Sequence, residues 1–232
     1  MSVRSQRGRK VETTKRNPLT IFYIAIGAIL VVGIAFLATM MLRNSSNNIT
    51  APNAPVGRTA EGFYYKGNPD AAVTVIAYED YQCPACAFFN QNLMPVLERD
   101  YIDAGRIQFV YHEFPLDIHA NAVAAGQAAR CAGDQGKFWE MHDMLYLNQS
   151  QWAQLSTTNN VFGGYAGQLG LNRADFDSCV SGGAHVDDVT AAGASAIAAG
   201  AQATPTFSVN GQLVNSSGLV PAIDAALRAA GQ

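Results

Sequence analysis

Four cysteines divide this sequence into two kinds of chemistry. Cys83 and Cys86 enclose a Pro84-Ala85 dipeptide, whereas Cys131 and Cys179 each stand alone. Two cysteines separated by two residues, at the opening of a helix that follows a strand, suit thiol–disulfide exchange. The first sulfur then sits at the helix N-terminus, where unpaired N–H groups and the helix dipole favour the thiolate. The thiolate is both the attacking and the leaving species, so a lowered pKa makes the pair reactive. Cys86, one turn further in, can attack a mixed disulfide on Cys83 and release the product. A zinc knuckle would need a second ligand pair at similar spacing. None of His112, His119, His142 or His185 lies close in sequence to the pair, so no metal is expected. A purely structural 83–86 disulfide would close too short a loop to stabilise much.

The surrounding pattern supplies the elements that must position these sulfurs. Residues 72–78 are a short β-branched run that reads as a buried strand. Pro84 suits the first turn of a helix continuing over 87–101, and Gly105 ends it. Residues 107–111 read as a second strand, parallel to the first in a βαβ unit. A helical block follows, with helices expected over 118–132, 138–147, 173–180 and 186–199. Asn172 is a candidate cap for the third of these, and Ser150 for a further helix. Strand signals return at 206–209 and 212–214, joined by Asn210-Gly211, a dipeptide that favours a type I′ turn. A last helix is expected over 219–230. The order is β-α-β, a helical insertion at about 115–203, then β-β-α: an α/β domain over 61–232.

Cys131 and Cys179 both fall in the helical block and read as a structural disulfide worth ~4 kcal/mol in the chain-entropy account. A second redox relay and two buried free thiols are the alternatives. The four histidines read as structural or solvated, with His142 and His185 at helix surfaces or ends.

The front of the chain is of another character. Arg4, Arg7, Arg9, Lys10, Lys15 and Arg16 face only Glu12, while the chain from Asn44 onward carries 8 Lys/Arg against 17 Asp/Glu, or −9. That acidic remainder argues against nucleic-acid binding. Residues 19–42 contain no charge, and 24 helical residues reach ~36 Å, enough for a hydrocarbon core of ~30 Å. They read as an uncleaved signal anchor, with a long-cored signal peptide as the alternative. Residues 1–18 are then a cytoplasmic tail and the acidic domain lies outside. Residues 43–60 are polar and rich in turn formers, read as a flexible linker.

Asp80-Tyr81-Gln82-Cys83-Pro84-Ala85-Cys86, the helical insertion, and Ala203-Thr204-Pro205-Thr206-Phe207-Ser208-Val209-Asn210-Gly211 together resemble the DsbA family of thioredoxin-fold proteins. The likeness runs from about Gly62 to the C-terminus and is closest to the membrane-tethered branch. It implies a thioredoxin fold with a helical insertion, and a cis bond at Thr204–Pro205 that faces the reactive sulfur and presents backbone to substrate. It implies an enzyme with no cofactor beyond its redox-active disulfide. The expected activity is introduction of disulfides into reduced exported polypeptides, with electrons passed to a quinone-linked membrane reoxidase of the DsbB or VKOR type. A reductase or isomerase supplied with electrons across the membrane, and a membrane-anchored peptide-binding chaperone, are the competing readings.

Two positions depart from the family. A buried Glu often stands six residues before the first cysteine, where this chain has Ala77. Glu79 lies two residues on, on the same strand face. It reads either as a substitute proton acceptor for Cys86 or as a solvated acid at the strand end. Some strongly oxidising relatives carry His where this chain has Ala85, and alanine cannot stabilise a thiolate as a cation does. A less extreme oxidant is the expectation.

Overall fold

A computed structural model of the chain describes Leu19, residues 22–24 and 26–34, and residues 49–232. The chain divides into two units, Met1–Asn48 and Ile49–Gln232. In the first, the described residues are helical and their large apolar side chains are exposed. Among the described residues no helix is long and apolar enough to cross a membrane. The expected tail at 1–18 lies outside the described residues, and the expected span at 19–42 lies partly outside them.

The second unit is built on one six-stranded sheet. Its strands are β1 (Val56–Arg58), β2 (Tyr64–Gly67), β3 (Thr74–Glu79), β4 (Gln108–Glu113), β5 (Thr206–Val209) and β6 (Gln212–Val214), in the spatial order β1-β2-β4-β3-β5-β6. Only β3 and β4 run parallel, with Ala77 opposite Tyr111 and Glu79 opposite Glu113; the other neighbours are antiparallel. Alternation along β3 sorts its side chains. Val75 and Ala77 enter the main core with Phe89, Phe109, Tyr111, Phe207 and Ile223, while Ile76 and Tyr78 join a smaller cluster with Phe114 and Ala196 on the other face. Glu79 continues the first series, so its carboxyl is carried towards the main core.

The sheet begins earlier than the sequence suggested. Val56–Arg58 belongs to it, so the linker expected over 43–60 is shorter, and the folded unit starts at Ile49 rather than 61. Gly57 leaves room for the side chain of its cross-strand partner: a Cβ there would lie 2.6 Å from the Tyr65 hydroxyl.

The helices are α1 (Pro84–Asn92), α2 (Met94–Leu97), α3 (Ala122–Gly133), α4 (Phe138–Leu147), α5 (Gln149–Trp152), α6 (Asn159–Gln168), α7 (Arg173–Ser181), α8 (Val186–Ala198) and α9 (Ser216–Ala229). The single helix expected over 87–101 is interrupted. Pro95 has no N–H to continue α1, so α2 restarts the spiral and a π-type turn, Glu98–Ile102, ends it. Ser150 is not a cap; it lies inside α5, which Asn148 precedes. The further helix expected after Ser150 is divided between α5 and α6, and the start of α6 at Asn159 was not expected, because Gly163, Gly164 and Gly167 dilute its pattern. Asn172 does cap α7, its Oδ1 accepting from the N–H groups of Ala174 and Asp175. Asn210 (φ 47°) and Gly211 (φ 90°) supply the left-handed residues of the β5–β6 turn.

Two cross-links hold the helical insertion together and to the sheet. Cys131 of α3 is joined to Cys179 of α7. Arg130 of α3 grips Glu113 of β4 through two bonds, Nε to Oε1 at 2.6 Å and Nη2 to Oε2 at 2.9 Å, and both side chains are buried. His142, expected at a helix surface, is wholly buried among Tyr81, Tyr111, Trp139 and Tyr146. Phe138, Trp139, Met141, Leu145 and Tyr146 of α4 are buried with it, so this helix buries more than one face.

Candidate active site

The chain leaves β3 at Glu79 and must turn sharply to enter α1 at Pro84. Asp80 makes that turn: its Oδ1 accepts from Gln82 N at 2.7 Å, and Cys83 N donates to the Asp80 carbonyl at 3.0 Å. Asp80 Oδ2 also accepts from Leu116 N and from His119 Nδ1, both at 2.8 Å, which ties the turn to the loop after β4. Cys83 becomes the N-cap residue of α1 in extended conformation, with Pro84 in the first turn. Cys86 follows one turn later and is fully buried. Both carry free thiols.

The helical insertion grips the same turn from the other side. Gln149 Nε2 donates to the carbonyls of Tyr81 (2.7 Å) and Cys83 (2.9 Å). Gln82 Nε2 donates to the Ala153 carbonyl at 2.7 Å, and Gln82 Oε1 accepts from Asn121 N at 2.6 Å. Sequence reasoning passed over these three residues. A glutamine in an amphipathic helix carries no signal of a partner 66 positions away.

Opposite the turn stands the segment entering β5. The Thr204–Pro205 peptide is cis. The Thr204 carbonyl oxygen is 3.5 Å from Cys83 Sγ, and the buried Thr204 hydroxyl has no hydrogen-bond partner among the described residues. The Cys83 thiol is pulled down to about 5 by the hydrogen bond from Cys86, against burial, with help from Thr204 and the N–H groups of Cys86 and Ala85. Cys86 moves the other way: burial, the bond to Cys83 and the charge of Glu79 all push its pKa far up. One sulfur is a thiolate at neutral pH and its neighbour a thiol that donates to it. Ala85 adds no charge; its N–H does part of the work expected of a cation.

Glu79 is a buried carboxyl beside the pair. It is 1% exposed, and burial pushes its carboxyl up to about 8 despite hydrogen bonds from Asn90 and Tyr146. Ala77, at the position where the family often carries its acid, is packed in the core. The solvated alternative for Glu79 is therefore set aside. Asn90 and Tyr146 were missed; Asn90 is one of three successive amides, Asn90-Gln91-Asn92, and Tyr146 stands between two leucines, so neither announces a buried acid as its partner.

A dithiol at a helix N-terminus, read against a cis-proline across a mixed sheet, is the thioredoxin class of redox site. The chain belongs to the thioredoxin family, whose model, described as Thioredoxin, matches residues 59–228. Among curated proteins, Na(+)/H(+) antiporter NhaA 1 of Salinispora arenicola is 34% identical over 172 residues, covering 72% of this chain and 24% of the antiporter. Disulfide bond formation protein D of Bacillus subtilis is 30% identical over 109 residues, 43% of this chain and 46% of that protein. The chain thus spans a quarter to a half of these relatives' lengths. The oxidised BdbD structure from Bacillus subtilis superposes with a TM-score of 0.67 at 24% identity, covering 75% of this chain and 98% of that one, and shows the shared fold. The resemblance to DsbA-like proteins and the thioredoxin fold with its helical insertion are borne out.

Proposed function

We propose that this chain is a protein thiol–disulfide oxidoreductase that introduces disulfides into exported polypeptides. The observation that carries the reading is Cys83, a thiolate held low at a helix N-terminus beside the Thr204–Pro205 backbone. A stabilised thiolate belongs only to the reduced pair, so it draws electrons towards the reduced form and makes the disulfide oxidising. A client thiolate attacks Cys83 in the 83–86 disulfide, that bond breaks, and Cys86 leaves and takes a proton. A second client thiolate then attacks the client sulfur of the mixed disulfide. Cys83 leaves as a thiolate, the client gains a disulfide and the protein holds two electrons. Pro205 and Thr204 present backbone to the client chain. A quinone-linked membrane protein of the DsbB or VKOR type removes the electrons. No cofactor beyond the cysteine pair is required for this exchange.

Titration against a glutathione buffer tests the direction of electron flow. The expected potential lies well above the roughly −270 mV of a thioredoxin reductant, towards the roughly −120 mV of a strong oxidant. From about pH 5 to neutrality it should fall by about 30 mV per pH unit, because reduction takes up two electrons and one proton there. A potential near that of a reductant would reassign the chain to disulfide reduction or isomerisation.

Residues 19–42 tether the domain to a membrane, with the basic residues 1–18 in the cytoplasm and the acidic domain outside. The uncharged run and its basic flank support this, as does the homologous segment within a protein named as an ion antiporter. Protease added to intact cells or spheroplasts should remove the domain. A membrane-bound chain that stays fully protected would reverse the orientation.

A further inference from the structure

Glu79 receives two side-chain hydrogen bonds, and both end on the same oxygen. Asn90 Nδ2 donates to Oε2 at 2.8 Å and Tyr146 OH donates to it at 3.2 Å, while Oε1 is buried and without a partner among the described residues. With Oε2 occupied as an acceptor, a proton on this carboxyl belongs on Oε1. Asn90 Nδ2 also donates to the Cys86 carbonyl at 3.0 Å, so one amide fixes the acid relative to the helix turn that carries the buried cysteine. Tyr146 is fixed in turn, its hydroxyl 3.2 Å from that of Tyr111. From this geometry we infer that Asn90 and Tyr146 are positioning residues: they confine proton exchange to Glu79 Oε1 and weaken the carboxyl's hold on that proton.

The inference rests on Glu79 serving Cys86. When the 83–86 bond breaks, the Cys86 thiolate takes the Oε1 proton and a carboxylate is left, whose charge the two donors stabilise. When Cys86 attacks in the reverse direction, the proton returns to Oε1. The other titratable groups around Glu79 are Cys83, the N-cap of α1, Cys86 within α1, Tyr111 of β4 and Lys66 of β2. Tyr81 and His142 stand behind Tyr146, Lys66 is ion-paired with Glu98, and Glu113 is paired with Arg130. Burial drives the three tyrosines up and His142 down, each away from a charge change that would compete with Glu79 near neutrality.

Tyr146→Phe removes one donor at nearly constant shape, and Asn90→Ala removes the other. The titration of Glu79 is read in the reduced full chain from the infrared C=O band of its protonated carboxyl, assigned by the loss of that band in Glu79→Gln. Each variant should move the midpoint up by about one pH unit or more, the loss of a hydrogen bond to a charged group. Stopped-flow release of a mixed disulfide should shift its pH profile upward in step. An infrared midpoint unmoved in both variants overturns the inference, whatever the kinetics do. A moved midpoint with release kinetics unchanged, in these variants and in Glu79→Gln alike, supports the clamp and removes Glu79 from proton transfer. Should Tyr146→Phe not fold, Asn90→Ala decides the matter.

Discussion

Cys86→Ser is expected to turn a cycling enzyme into a trap. The variant keeps the Cys83 thiolate but cannot form the 83–86 disulfide that oxidises clients, and it has no internal thiol to displace a partner held on Cys83, so turnover should fall to background while covalent complexes accumulate. Serine retains an O–H that can donate to Cys83 as the Cys86 thiol does, so Cys83 should still titrate close to its present value of about 5. Cys86→Ala removes the hydrogen bond that does most to stabilise the thiolate, and its Cys83 should titrate higher. The sign of the pH dependence follows from the depressed pKa. The thiolate stabilises the reduced folded protein fully above its unfolded value near 8.5, and that contribution is lost as pH falls through about 5. Reduced protein should therefore gain on oxidised protein in unfolding experiments as pH rises across this window. Mass spectrometry of Cys86→Ser complexes would name both clients and reoxidase. Cys86→Ser that still turns over client thiols would sink the exchange mechanism.

The second large effect is expected at the distant pair. Replacing Cys131 and Cys179 together by alanine opens a loop with a sequence separation of 48 and should cost ~4 kcal/mol of stability in the chain-entropy account. For a unit of this size that is a fall in Tm of roughly 10 °C. Cys83 is the better leaving thiolate, so glutathione should reduce 83–86 long before 131–179. Denaturant unfolding of the double variant beside the parent gives the stability, and mass mapping of labelled thiols gives the order of reduction. Coincident unfolding midpoints would remove the structural role. Reactivity of Cys83 should survive, since α1 and the α3–α7 bridge are different parts of the fold.

The contrast between the two pairs was legible in the sequence because it is local. Cys83-Pro84-Ala85-Cys86 states its own spacing, and Asn210-Gly211 states its own turn. What could not be read depends on who meets whom across the chain. Alternation placed Glu79 on the face of Ala77, but a strand-end acid looks the same whether it is buried or solvated. Its buried carboxyl meets a hydroxyl from Tyr146, 67 positions on. The same holds for Gln149 and Gln82, whose amides face backbone of distant loops. The first hairpin was missed because Val56-Gly57-Arg58 is too short and too weakly apolar to announce a strand. It exists because β2 offers it an edge.

Strand β3 is paired on one side with β4, soon after it in sequence, and on the other with β5, whose Val209 meets Val75. A chain that emerges N-terminus first therefore displays Cys83 and Cys86 while one edge of β3 is still open. Thr204, which faces Cys83 from 121 positions away, arrives only with the last part of the domain. Pairing of such long range is slow to form, and an open edge invites wrong partners meanwhile. During synthesis the molecule thus passes through a stage in which it is itself an unfinished thiol protein. Its own cysteines are then open to the chemistry that the finished site is built to carry out on others.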